Sequence, residues 1–360
     1  MKALTVKPGA AGDVKIDEVP DPVRGDDELL VEGLAIGVCG TDKEIVRGEY
    51  GWAPEGRDRL VIGHESLGRV LEAPEGSRYA AGGLVVGVVR RPDPQPCGAC
   101  AHGEWDMCRN GRYTERGIKQ IDGYASERWT VPQDFAVGVA DHLGLAGVLL
   151  EPTSVVAKAW EQVDRVGDRA WFEPRTALVT GAGPIGLLAA MIGVQRGLDV
   201  HVLDRVTDGP KPDLVGDLGA TYHSTSISEI AQQARPDVVI EATGVGPLVF
   251  EAMAENAPYG IVCLTGVSPK GRTLEVDAGG LNRSLVLEND VVVGSVNANL
   301  RHYQAAADAL ARADVGWLSR VITRQVPLDE APDAFDAPPG ADVKVVITIG
   351  DAPTRSASTD

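Results

Sequence analysis

The pattern of apolar and polar positions in this chain changes near residue 151. Before it, short apolar or alternating runs at 2–6, 28–38, 68–71, 84–89 and 126–131 are cut by Gly and Pro clusters, which predicts an irregular β-rich domain. Helical periodicity begins only near Glu151. Val155, Val156, Ala159, Trp160 and Val163 then form one apolar stripe over 154–166, with Pro152 just ahead of it. After that come apolar, β-branched runs at 177–180, 199–203, 237–241, 261–264 and 291–294, mostly separated by helix-length segments such as 187–196 and 228–234. Strands alternating with helices predict parallel βαβ units buried on both faces, a doubly wound α/β fold. A helical stretch at 303–313 leads into strand-like 320–326 and 343–349, and the last ten residues, 351–360, are small and polar and read as disordered.

The chain has 360 residues, and at about 150 residues per domain this suggests two domains. No apolar stretch reaches the ~18 residues of a membrane span. The start of the chain runs straight into a strand-like pattern without a secretory signal, so a cytoplasmic protein is expected. The cysteines agree: three of five crowd into 97–108, and the other two, Cys39 and Cys263, stand alone, unlike a secreted disulfide framework. Formal net charge is −18, from 52 acidic against 34 basic residues. Such a surface repels phosphate backbones and anionic lipid, which excludes nucleic acid and membrane surfaces as expected partners.

Two groups of residues carry chemistry. Gly181-x-Gly183-x-x-Gly186 lies between an apolar strand and an apolar helix that opens at Ile185, and Pro184 and Ile185 within it read as cofactor-binding positions. The first glycine permits a tight turn, the second lets backbone approach a pyrophosphate, and the third lets helix and strand pack closely. Asp204 ends the next strand, where a carboxylate takes the adenosine ribose hydroxyls, favouring NAD, while Arg205 beside it could meet the 2′-phosphate of NADP. Thr243 and Gly244 read as cofactor-facing loop positions. The second group is Cys39, His64 and Glu151, a thiolate, an imidazole and a carboxylate that can hold catalytic zinc with one position open, with Glu65 as a nearby or exchanging ligand. Cys97, Cys100 and Cys108 form a possible structural zinc loop short of one ligand, for which Asp93, His102 and Asp106 are candidates. Together the two groups suggest metal-assisted hydride transfer.

With these residues in view, the chain resembles the zinc-dependent medium-chain dehydrogenases, and among them the archaeal-type glucose 1-dehydrogenases. The stretches that carry the resemblance include Val38-Cys-Gly-Thr-Asp42, Gly63-His-Glu65, Glu115-Arg-Gly-Ile118, Leu149-Leu-Glu-Pro152, Val179-Thr-Gly-Ala-Gly-Pro-Ile-Gly186, Ile240-Glu-Ala-Thr-Gly244 and Val293-Gly-Ser-Val-Asn297. The resemblance implies a GroES-like catalytic domain over 1–155, a Rossmann dinucleotide-binding domain over 156–300, and a C-terminal return to the catalytic domain over 301–360. It implies zinc ligands at Cys39, His64 and Glu151 assisted by Glu65, a substrate-hydroxyl contact from Thr41, and sugar contacts from Glu115 and Asn297, with Glu151 able to share a sugar hydroxyl with the metal. The implied reaction moves hydride from C1 of an aldose, glucose foremost, to NAD or NADP and gives the lactone. The implied partners are a sugar and further copies of the chain, in a dimer or tetramer. Three departures stand out. The cysteine loop has three thiols where many relatives have four, Ser154 to Ala157 offer no acidic residue, and Asp204-Arg205-Val206 replaces the neutral residue and two arginines of NADP-preferring relatives. A zinc alcohol, polyol or threonine dehydrogenase and a non-catalytic dinucleotide-binding protein are the alternatives.

Overall fold

A computed structural model describes residues 1–269, 271, 273–336, 340 and 342–350. The expected tail disorder at 351–360 lies outside the described residues. The chain forms two compact units, one of residues 1–154 with 298–360, the other of residues 155–297.

In the first unit, Glu28–Val38 is the longest strand, and its side chains alternate between partial and full burial before its end is wholly enclosed. It pairs antiparallel with Glu65–Glu72 on one side and with Lys344–Thr348, from the C-terminal segment, on the other. The sheet continues outward through Leu84–Gly87 and Ala136–Val139 on one flank and through Ile322–Pro327 on the other. Leu4, Val31, Ile36, Ile45, Leu60, Tyr124 and Trp129 pack its core. The end of Glu28–Val38 and the start of its two neighbours therefore share one edge, where Gly37 stands opposite Glu65 and Val38 opposite Val345.

The second unit holds six parallel strands: β1 (Thr176–Thr180), β2 (Asp199–Leu203), β3 (Thr221–His223), β4 (Val238–Glu241), β5 (Ile261–Leu264) and β6 (Val291–Gly294), in the order β3-β2-β1-β4-β5-β6. Val238–Glu241 is buried at every position, because helices cover both faces of a parallel sheet. The strand order reverses between β1 and β4, the topological switch point at whose carboxyl edge such sheets bind dinucleotides.

Helical structure begins earlier than the apolar periodicity predicts. Gly40–Val46 is helical, and so is the short Gly98–Ala101. The first buries only Asp42 and Ile45, so it shows no apolar stripe; a side-chain cap holds it instead, with Cys39 Sγ accepting from the Thr41 amide and Asp42 accepting from the Cys39 amide. The long helix is Leu150–Gly167, starting four residues ahead of its expected onset. Among the described residues no helix is long and apolar enough to cross a membrane.

Candidate metal and dinucleotide sites

Cys39 caps the N-terminus of Gly40–Val46, and His64 immediately precedes the strand Glu65–Glu72. The local turn before His64 depends on Gly63, whose φ of +87° and contacts with Ile36 and Ala125 leave no room for a side chain. His64 Nε2 lies 3.0 Å from Cys39 Sγ, and its Nδ1 lies 3.2 Å from a carboxylate oxygen of buried Asp42. Asp42 thus fixes the imidazole so that Nε2 faces the sulfur, the arrangement in which a carboxylate orients a metal-binding histidine. Burial pulls the His64 pKa down, but Asp42 and Cys39 outweigh it and raise the imidazole well above its ordinary value. The sulfur, nitrogen and carboxylate donors gathered here are those zinc takes.

Ligand atoms of Cys39, His64 and Glu65 all lie within 4.8 Å of one another. Glu151 is outside that group, although its charge is felt there. It is buried in the first turn of Leu150–Gly167, and burial pushes its carboxyl up to about 7, with His64 opposing and Glu65 adding to the rise. Glu65 is ion-paired with Lys344, and the two side chains are only 3% and 1% exposed. Sequence reading gave no role to Asp42 or Lys344. The signal for Asp42 was its position three residues after Cys39, where a carboxylate completes a helix cap.

Thr41 is half-buried on the same helix. Glu115 is buried on the strand Thr114–Arg116, where its Oε1 accepts from Arg90 Nε and Nη2 at 3.0 and 2.9 Å. Arg90 also donates to the Asp106 carbonyl and lies over the Tyr113 ring. Asn297 belongs to the second unit and adopts a φ of +61°, next to Val296, whose carbonyl accepts from the buried Lys158 ammonium at 2.9 Å.

Cys97, Cys100 and Cys108 also gather their sulfurs within 4.8 Å, and among the described residues no fourth His, Cys, Asp or Glu joins them. The three candidates are engaged elsewhere. Asp93 accepts from the Gln95 amide and the Asn110 side chain, His102 Nδ1 meets the Gly98 carbonyl, and Asp106 accepts from Asn299.

In the second unit Gly181 takes a φ of +92°, and Gly183 caps the helix Pro184–Gln195, so that Pro184 and Ile185 open it. A Cβ on Gly186 would strike the Gly181 carbonyl oxygen, so this helix packs on the turn only with glycine there. Asp204 Oδ2 accepts from the Ala182 amide and from Lys211 Nζ, both at 2.8 Å, and Oδ1 accepts from the Val206 amide. Burial pushes its carboxyl up, but Lys211 and the two amides hold it below its ordinary value. Arg205 is exposed. Thr243 and Gly244 form the loop that leaves β4.

Residues 144–349 match the family described as Glucose dehydrogenase C-terminus, and residues 25–141 match the Alcohol dehydrogenase GroES-like domain. The glucose 1-dehydrogenase of Methanocella arvoryzae is 40% identical over 359 residues, covering 97% of this chain and all of that one. The chain belongs to the glucose dehydrogenase family. That of Halobacterium salinarum is 42% identical over 317 residues, covering 85% of this chain and 87% of its own. Among solved structures, Haloferax mediterranei glucose dehydrogenase in complex with NADP, Zn and gluconolactone aligns with a TM-score of 0.89 at 34% identity, covering 97% of this chain and 99% of that one. Family membership thus fixes the architecture as a GroES-like domain together with a Rossmann domain.

Proposed function

We propose that this protein is a zinc-dependent glucose 1-dehydrogenase that oxidises C1 of the sugar to the lactone with NAD or NADP. The observation that carries the reading is the cluster of Cys39, His64 and Glu65, in a chain whose relatives carry the name glucose 1-dehydrogenase over nearly their full length. Cys39, His64 and a carboxylate, Glu65 or Glu151, would hold the zinc. When bound, zinc supplies Lewis-acid stabilisation of negative charge on the C1 oxygen. NAD(P)⁺ supplies the acceptor for the hydride that leaves C1. Asp42 keeps the His64 ring in its ligating orientation. The Thr41 hydroxyl would accept the C1 hydroxyl proton while giving up its own to solvent, so that it relays one proton and stays neutral. Glu115, steadied by Arg90, is the sugar contact assigned to the first unit, and Asn297 the one assigned to the second.

Gly181, Gly183, Pro184, Ile185 and Gly186 would seat the pyrophosphate at a helix N-terminus. NAD is favoured over NADP, a preference supported by the Asp204 carboxylate, with Arg205 as the group through which a 2′-phosphate could still be accepted. Three thiolates at Cys97, Cys100 and Cys108 support a second, structural zinc whose fourth ligand lies outside that cluster. Self-association into a dimer or tetramer is supported by Val267, Val286 and Leu287, which are 79%, 65% and 63% exposed, and by β6 at the open edge of its sheet. A reducing, cytoplasmic setting is supported by five free cysteines.

Initial rates with glucose, other aldoses, sorbitol, threonine and simple alcohols, each with both cofactors, test the assignment. Glucose or a close aldose should give the highest kcat/KM; turnover of sorbitol or threonine without aldose turnover would overturn it. Replacing Glu115 with glutamine should raise the KM for glucose about tenfold, as expected for weakening a hydrogen bond to a charged group, and leave the KM for cofactor within about twofold. Steady-state kinetics in both substrates reads this directly.

A further inference from the structure

Glu241 ends β4 and is completely buried, yet it is an acid in a strand of Val-Val-Ile. A buried carboxylate costs stability unless its oxygens are hydrogen-bonded, and here the donors come from two places. From β1, the Thr180 hydroxyl donates to Oε1 at 3.2 Å. From the loop that follows, the Thr243 amide donates to Oε1 at 2.7 Å, the Thr243 hydroxyl donates to the same atom, and the Gly244 amide reaches both oxygens at 3.1 and 3.2 Å. The backbone of Glu241 binds a third segment, its carbonyl accepting from the amides of Thr265 and Gly266 beyond β5 and from the Thr265 hydroxyl.

These contacts lie at one edge. Thr180 and Glu241 are the last residues of β1 and β4, the neighbouring strands between which the order reverses. The loop held by Glu241 also lies against the glycine-rich turn: a Cβ on Gly181 would come within 2.9 Å of Thr243 Cγ2, and Gly244 keeps a φ of +64°. A doubly wound sheet binds its dinucleotide as two mononucleotide halves. The half built on β1, β2 and β3 carries Asp204 and takes the adenosine end. The loop after β4 therefore serves the nicotinamide end.

We propose that Glu241 is a positioning residue for the nicotinamide half of the cofactor, holding the Thr243-Gly244 loop in the conformation that receives it. The proposal rests on the dinucleotide-binding reading above. Its distinctive consequence is a split between the two ends of the ligand. In Glu241→Gln, an amide NH₂ replaces one acceptor and opposes the donors around it, loosening the loop while the Gly181 to Gly186 turn and Asp204 stay in place.

The test is fluorescence titration of the full chain with NADH and NADPH, alongside displacement titration with ADP-ribose and its 2′-phosphate, which lack the nicotinamide. In Glu241→Gln the dissociation constants of NADH and NADPH should rise about tenfold, and those of the ADP-ribose ligands should stay within about twofold. Thr243→Val, which removes one donor from the other end of the same contact, should give the same split with a smaller change, and it provides the measurement if the Gln variant fails to fold. Equal weakening of whole and truncated ligands would mean general structural damage and overturn the proposal. So would unchanged binding of all four. If the unaltered protein binds neither dinucleotide nor ADP-ribose, the dinucleotide-binding reading itself fails and the proposal falls with it.

Discussion

Replacing Cys39 with serine or His64 with alanine is expected to lower glucose-dependent reduction of NAD(P)⁺ by about a thousandfold or more, corresponding to the several kcal/mol of charge stabilisation that a metal Lewis acid supplies. The two side chains meet directly, Sγ to Nε2 at 3.0 Å, beside the buried carboxylate of Glu65. Zinc content should fall together with activity. Far-UV circular dichroism and dinucleotide affinity should hold, because the glycine-rich turn and Asp204 belong to the second unit. Asp42→Asn should be milder, with about 10-fold to 100-fold loss of zinc affinity, since it acts by orienting His64. Steady-state kinetics with metal analysis of each variant decides the matter; a His64→Ala protein that keeps both its zinc and its turnover would contradict the assignment.

The second large effect concerns folding. Lys344→Met should destabilise the zinc-free protein by about 3–5 kcal/mol, because without the metal it strands the Glu65 carboxylate in an interior where the two side chains are 1% and 3% exposed. The pair also closes the edge of the central sheet: a Cβ on Gly37 would meet both Glu65 and the Lys344 side chain, so the backbone of Glu28–Val38 packs directly against the ion pair. Adding Glu65→Gln to Lys344→Met should recover part of the loss by removing the unpaired charge. Urea denaturation of the zinc-free single and double variants measures this. A single variant within about 0.5 kcal/mol of the parent, the range of ordinary surface substitutions, would show that the pair is not a buried structural contact.

The parallel sheet was the most legible part of the sequence. β2, β5 and β6 fall at the expected residues because each is written as an apolar, β-branched run. The glycine-rich turn was legible for a related reason, since positive φ at Gly181 and close packing at Gly186 each demand glycine. Gly40–Val46 was not legible, because a helix held by its cap and burying only Asp42 and Ile45 leaves no periodic trace. Of the four expected metal-site residues, the structure gathers Cys39, His64 and Glu65. Cys39, His64 and Glu65 each sit beside a strand end that local sequence marks, whereas the distance to Glu151 depends on how the helix Leu150–Gly167 meets that edge. The Glu65–Lys344 pair was invisible for the same reason: it exists because Lys344–Thr348 returns from the far end of the chain to pair with Glu28–Val38. A lysine in an otherwise apolar strand, buried at every position but the last, was the trace it left.

The central claim is that a zinc ion held by Cys39, His64 and a neighbouring carboxylate drives oxidation of the sugar. Stepwise chelation of the purified protein, with zinc content and glucose-dependent reduction of NAD(P)⁺ measured on the same samples, tests it most directly. Activity should fall to zero as the last equivalent of zinc leaves and return when zinc is restored, with dinucleotide binding retained throughout. Full turnover by a metal-free protein would contradict the account.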